Sequence, residues 1–182
     1  MAIKENVEGM DHQIKSSVDK VQAVNRRISE QEIKMEEAER YSRRWNLKLL
    51  NLPEAVSETA EDVRKLIFDI FGKIVPEEKT KMGFLIDTVH RIGHPREDKS
   101  PRPVIIQFTM RTFKQRIWRA SVSATVMKEK NLRLAEDLTY WERQCRNKLW
   151  PLVDKARKEG KKTSWRGPDV IIDGKRVTAE SS

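Results

Sequence analysis

Apolar residues recur alternately three and four positions apart along the first forty residues of this 182-residue chain. A helix with this repeat of 3.5 residues carries one narrow apolar stripe, which a partner helix has to cover. The sequence therefore predicts a coiled coil over residues 1–43, and with it self-association. The a positions of the heptads hold a mostly β-branched set, which is Val7, Ile14, Val21, Ile28 and Met35.

The d positions of this register contain no leucine. Leucine at d favours two-stranded coils, so its absence leaves dimer and trimer both open. Arg27 falls at a g position and Glu32 at an e position five residues later, where a salt bridge between helices can form. The alternative is an amphipathic helix packed on its own domain, which the strict repeat and the polar d residues suit less well.

After Ser42 the heptads give way to short apolar runs punctuated by proline and glycine. Thr59 and Asp62 have the spacing of a capping box, which predicts a helix start. The apolar patterns predict strands at 47–52, 84–92, 103–108 and 131–135, with helices at 63–74 and 111–120. This β-α-β-β-α-β order is that of the split unit used by RNA-recognition (RRM) modules. We therefore expect an RRM-like domain at 44–136, with Phe108 as the one aromatic in the strand where such modules carry several.

Residues 137–182 predict a small C-terminal domain of mixed structure. Trp141, Cys145, Leu149, Leu152 and Ala156 recur at helical spacing, and Asp173-Gly174 between two apolar runs is typical of a β-hairpin turn. Helical spacing favours a core position for Trp141 and Trp150, whereas Trp165 fits a core or a surface position equally. The expected fold class is α+β, made of a coiled coil, an RRM-like split β-α-β domain and a small α+β domain.

Positive charge is concentrated in one part of the chain. The net charge is +9, and residues 111–182 contain eighteen Lys and Arg against nine Asp and Glu. Residues 1–40, by contrast, contain seven basic and nine acidic residues. A local basic excess is typical of a surface that binds phosphates, so nucleic acid is the expected partner.

Several classes of function have little support in the sequence. Cys145 is the single cysteine, and the three histidines lack metal-ligand spacing. The chain has no glycine-rich phosphate loop, no paired-carboxylate motif and no apolar run near the roughly 20 residues of a membrane span. We therefore expect neither an enzyme nor a cofactor, a metal or a membrane partner, and we expect an intracellular protein in a reducing compartment.

Several segments together resemble a known family. These are the heptads, Arg44-Trp45-Asn46-Leu47-Lys48-Leu49 before Leu52-Pro53-Glu54, His90-Arg91, Pro101 to Phe108, and Asp137-Leu138-Thr139. They resemble the first-open-reading-frame protein of LINE-one-type retrotransposons, the transposase-22 family. That resemblance implies a trimeric coiled coil, a noncanonical RNA-recognition domain and a C-terminal domain that coat the RNA of the element and act as a nucleic-acid chaperone.

The resemblance and the basic segments together nominate an RNA-binding set. Arg44, Lys48, Arg102, Arg119 and Arg146 match basic positions that contact RNA in the family. The full set of candidate RNA-binding residues is Arg44, Lys48, Arg91, Arg102, Lys114, Arg119, Arg133, Arg143, Arg146 and Arg166.

The functional hypothesis is a homo-oligomer that binds single-stranded RNA, and also DNA, in cytoplasmic ribonucleoprotein particles, with the nucleus as a second location. The alternative is a coiled-coil scaffold whose basic surface binds acidic proteins. Both hypotheses require the same coiled coil, and they differ in the partner of the basic surface.

The predicted coiled coil is testable by counting chains. Because the apolar stripe needs a partner helix, light scattering at high salt, which prevents RNA from bridging chains, should give a mass of two or three times 21.4 kDa. A mass of one chain under these conditions would contradict self-association.

Overall fold

The computed structural model describes residues 2–98 and 100–179. The protein is mixed α+β, with a long N-terminal helix and two antiparallel sheets, so the expected α+β class is confirmed. Its contacts define two compact units, one ending at Glu39 and one beginning at Arg40. The predicted boundary between 44–136 and 137–182 lies within the second unit and stays a prediction.

The first unit is formed by helix α1, which runs from Ala2 to Arg43 and ends within the second unit. Four of the predicted a residues, Ile14, Val21, Ile28 and Met35, are between 47% and 71% exposed in the single chain. The side chain of Val7 lies outside the described residues. The helix is present as predicted, and its apolar stripe is uncovered within one chain.

The remaining elements belong to the second unit. In chain order they are β1 (Asn46–Leu50), α2 (Ala60–Ile74), a 3-10 helix (Pro76–Lys81), α3 (Met82–Leu85), β2 (Ile86–Arg91), β3 (Val104–Phe108), α4 (Arg111–Ser121), α5 (Thr125–Glu129), β4 (Arg133–Glu136), α6 (Tyr140–Lys158), β5 (Thr163–Arg166), β6 (Asp169–Ile172) and β7 (Lys175–Val177). The first sheet has the strand order β2-β3-β1-β4 and the second the order β5-β6-β7, and all neighbouring strands are antiparallel.

Alternation along the strands of the first sheet determines which residues form the core. Leu47 and Leu49 of β1 are buried, as are Val104, Ile106 and Phe108 of β3. Because successive side chains in a strand point to opposite faces, Lys48, which pairs with Ile105, lies on the other face of the sheet. The apolar sides of α2 and α4 cover the buried face.

The helix α2 begins as its sequence predicts. The Thr59 hydroxyl accepts a hydrogen bond from the Asp62 backbone N–H, and the Asp62 carboxylate accepts one from the Thr59 N–H. This reciprocal capping satisfies two donors that a helix start leaves without partners. In contrast, the predicted strand at 84–92 begins only at Ile86, because Phe84 lies in the short helix α3 and is exposed.

The C-terminal region corrects two predictions from helical spacing. In α6 the buried residues facing the second sheet are Leu149 and Val153, which pack on Val170, whereas Leu152 is exposed. Trp141 and Trp150, expected in the core, are also exposed, because the sheet packs on the face that carries Val153. The hairpin between β6 and β7 is confirmed: Asp173 and Gly174 have φ of 47° and 82°, the positive values that a type I′ turn requires.

Arg91 holds the end of β2 against the preceding loop. Its five N–H groups donate to Glu58 twice and to the backbone oxygens of Leu52, Pro53 and Arg102. The guanidinium and the Glu58 carboxylate are largely inaccessible, with side chains 3% and 6% exposed. Since a guanidinium has five N–H donors, this arrangement uses all of them.

The Arg91 contacts predict a large effect on stability. Arg91→Met should lower the free energy of unfolding by about 3 to 5 kcal/mol, because it leaves the Glu58 carboxylate buried without its partner. The double variant Arg91→Met/Glu58→Met should regain part of the loss, since no charge then stays unpaired. Urea unfolding measures both, with the exposed Arg119→Met as a control expected to change stability by less than about 0.5 kcal/mol. An Arg91→Met protein as stable as that control would contradict a structural role.

Candidate nucleic-acid interface

A cleft of about 300 Å³ lies in the second unit between the last turn of α1, the outer face of α4 and the segment around Asp137. We call it the basic cleft. Five cations line it, and they are Arg40, Arg43, Arg44, Arg111 and Lys114. Its other lining residues are Leu47, Gln115, Trp118, Glu136, Asp137, Leu138, Glu142 and Gly167.

The helix α4 presents one face to the core and another to the basic cleft. Phe113 and Ile117, four residues apart, are buried against the first sheet. Arg111, Gln115 and Trp118 follow at spacings of four and three, which places them together on a different face. Trp118 is partly exposed there, so an aromatic ring stands among the cations of the cleft.

Arg44 is held in the basic cleft by aromatic rings. Its Cζ lies 3.4 Å from the centroid of the Tyr41 ring and 5.3 Å from that of Trp45. The Arg44 backbone oxygen accepts a hydrogen bond of 2.5 Å from the Lys114 ammonium. The Nε atom of Arg44 is buried without a hydrogen-bond acceptor among the described residues. A buried donor without an acceptor is uncommon in a folded protein.

Asp137 gathers three donors from the other side of the cleft. Its carboxylate accepts from Arg43 at 2.9 Å, from Asn46 at 2.9 Å and from Lys48 at 2.8 Å. The Asp137 side chain is 4% exposed. Burial raises the pKa of this carboxyl, but the hydrogen bonds from Asn46 and Lys48 and the charges of Lys48 and Arg43 outweigh it and hold the pKa below the ordinary 3.8. Asp137 therefore stays ionised and compensates the two cations.

Lys114 has an environment that disfavours its charge. Burial lowers the pKa of the ammonium below the ordinary 10.5; Glu136 and Asp137 act in the opposite direction, and Arg111 lowers it further. A phosphate bound beside Lys114 would replace part of the lost hydration and favour the charged form. Lys114 and Arg111 thus form a pair of cations that the protein itself compensates only in part.

The candidate RNA-binding residues fall into groups with different surroundings. Arg44 and Lys114 line the basic cleft, and Lys48 donates to Asp137 beside it. A second group is exposed and forms no ion pair with the described part of the chain, and its members are Arg119, Arg133, Arg143 and Arg166. This second group is available to an external anion.

The other three candidates are engaged in contacts within the protein. Arg91 has no N–H group left to donate, as described above. Arg102 bonds to the Glu54 carboxylate and to the Gly93 backbone oxygen. Arg146 bonds to the Gly167 backbone oxygen at 2.7 Å and to the Glu136 carboxylate. These contacts give the three arginines structural roles.

The sequence did not point to Arg40 or Trp118 as part of the interface, nor to Asp137 as the acceptor beside it. Arg40 was counted with the predicted coiled coil, although the last turn of α1 belongs to the second unit. For Trp118, its spacing of three residues from Gln115 and seven from Arg111 was a signal that could have found it. Asp137 gave no such signal, because its partners lie about ninety residues earlier in the chain.

Other kinds of site find little support in the described chain. Within residues 2–98 and 100–179, no group of three or more His, Cys, Asp or Glu residues could hold a metal ion. The same residues contain no helix that is both long and apolar enough to cross a membrane.

Among known protein families, none has a model that matches this chain.

The surroundings of Asp137 predict a pH-dependent contribution to stability. Because its folded pKa is below 3.8, this contribution is complete above pH 3.8 and is lost as the pH falls through the folded pKa. Asp137→Asn should therefore lower the free energy of unfolding at pH 7 by about 2 to 4 kcal/mol, and the difference from wild type should shrink in acid. Urea unfolding across this pH range, with the exposed Asp69→Asn as control, measures it. A difference that does not change with pH would exclude Asp137 as the ionised acceptor.

Proposed function

We propose that the chain is a homo-oligomeric protein that binds single-stranded RNA, and single-stranded DNA as well, through the basic cleft. The observation that supports this most is that Arg40, Arg44 and Arg111 have no carboxylate partner in the described chain. All three line the cleft, and none forms an ion pair with a carboxylate of the described chain. Cations without partners beside aromatic rings are the arrangement that single-stranded nucleic acids favour.

The strand order of the first sheet supports an RRM-like domain. In this proposal the domain does not bind RNA by stacking bases on its sheet. Its strand order is the one produced by two split β-α-β units. The face of the sheet opposite the core carries Lys48, Ile105 and Gln107, and Phe108 points into the core instead. Because RNA-recognition modules stack bases on aromatics of the open face, this domain would have to bind through the cations of the neighbouring cleft.

The exposed stripe of α1 supports the oligomer. Ile14, Val21, Ile28 and Met35 would be covered in a coiled coil, with Arg27 and Glu32 in position for salt bridges between helices. In one assembly several basic clefts are linked. Once one of them has bound a long strand of RNA, the effective concentration of the strand at the others is raised. We propose a trimer, as the resemblance to the retrotransposon proteins implies.

The biological role that fits these features is coating RNA without strong preference for sequence. Most of the affinity would come from phosphate neutralisation, which every sequence offers equally. We propose that the protein packages the RNA of a LINE-type retrotransposon in ribonucleoprotein particles, in the cytoplasm and also in the nucleus, and acts as a nucleic-acid chaperone and not as an enzyme.

The basic cleft can be tested by comparing two pairs of charge removals. Arg40→Gln/Arg111→Gln should reduce the slope of log affinity against log salt by about 1 to 2, because two phosphate contacts are lost. Lys65→Gln/Lys73→Gln removes the same charge from exposed positions of α2, and we expect its slope to stay near that of wild type. Fluorescence anisotropy with a labelled oligouridylate, between about 50 and 200 mM salt, gives both slopes.

Equal slopes for the two double variants would mean that net charge, and not the cleft, sets the affinity. A wild-type protein that binds acidic polypeptides but no single-stranded RNA would contradict the proposal and favour the scaffold hypothesis.

A further inference from the structure

The helix α6 and strand β5 bring two tryptophans together at the surface of the C-terminal region. The rings of Trp150 and Trp165 are parallel within 2°, with centroids 6.4 Å apart. Trp165 packs on the small core of Leu149, Val153 and Val170, which holds it in place. Trp150 rests beside it and is 51% exposed. The pair is therefore an aromatic surface with a fixed base and an accessible outer ring.

Two arginines accompany the rings on the same face of α6. Arg146 and Arg157 are four residues before and seven residues after Trp150, spacings that place all three together. Arg146 lies 5.0 Å from the Trp165 ring centroid and Arg157 5.3 Å from that of Trp150. Arg44, in comparison, lies 3.4 Å from the Tyr41 ring. The Arg157 guanidinium thus lies farther from the Trp150 ring than the Arg44 guanidinium lies from that of Tyr41.

The charge around the pair favours an anionic ligand. Residues 143–166 contain nine Lys and Arg against two acidic residues, Asp154 and Glu159. Both carboxylates are already paired, with Lys158 and with Lys161. Lys155 and Arg166 are exposed and form no ion pair with described residues. A ligand with a flat ring and a negative charge would satisfy both the aromatic surface and these cations.

We propose that Trp150, supported by Trp165, is a stacking site for an unpaired base of single-stranded RNA. The inference rests on the proposed function and adds to it a contact with the base, whereas the basic cleft contacts phosphates. Every base has a π-face, so such a site tolerates any sequence. Stacking explains why a large aromatic ring stays half exposed within a dense field of positive charge.

The test compares oligouridylate with a strand of equal length in which every base is replaced by an abasic site. Both strands carry the same phosphates, so the ratio of their affinities for the full-length chain reports contacts to bases. Trp150→Leu should reduce that ratio by about 5- to 100-fold, by weakening only the base-containing strand. Its salt slope should equal that of wild type, because no charge is removed.

Two variants control for folding and for general loss of aromatic surface. Trp150→Phe keeps a π-face and should retain most of the ratio. Trp141→Leu removes another exposed tryptophan of α6 and should leave the ratio unchanged.

An unchanged ratio in Trp150→Leu, or an equal loss of affinity for both strands, would overturn the stacking site while leaving phosphate binding by the cleft intact. A wild-type protein that binds neither strand would overturn the proposed function itself.

Discussion

The second unit depends on one buried carboxylate, that of Asp137. It joins the last turn of α1, through Arg43, to the first strand, through Asn46 and Lys48, at the point where the chain turns toward α6. An isolated buried carboxylate would be strongly unfavourable, so the three donors and the acceptor require one another. The basic cleft is built on this group, since Arg43 and Asp137 both line it.

This arrangement explains why cations close together in the sequence have different roles. Arg43 and Lys48 are compensated by Asp137, whereas the neighbouring Arg44 has aromatic rings beside its guanidinium and a buried Nε without an acceptor among the described residues. The same division separates Arg91, with all five donors used, from the exposed Arg119. Net charge therefore overstates the number of cations that are open to an external anion, and the cations without ion-pair partners among the described residues give a better measure.

The periodicity of the sequence predicted where helices and strands form, but it predicted less well which of their residues are buried. The heptads predicted α1, and the Thr59 capping box and the Asp173-Gly174 turn were found where expected. Their signals are local, because each depends on residues within a few positions. The face of α6 that is buried depends instead on where the second sheet packs, so helical spacing chose Leu152 over Val153. The structural role of Arg91 was equally hidden, since its acceptors come from two separate loops.

We infer that cations without ion-pair partners in the protein, and not positive charge in general, bind nucleic acid. The Nε–Hε signals of individual arginines in the NMR spectrum of the full-length protein test this directly, on addition of oligouridylate. We expect the signals of Arg44 and Arg111 to shift as RNA binds, while that of Arg91, whose Nε donates to Glu58, stays in place. Binding of RNA with the signals of Arg44 and Arg111 unmoved would contradict it.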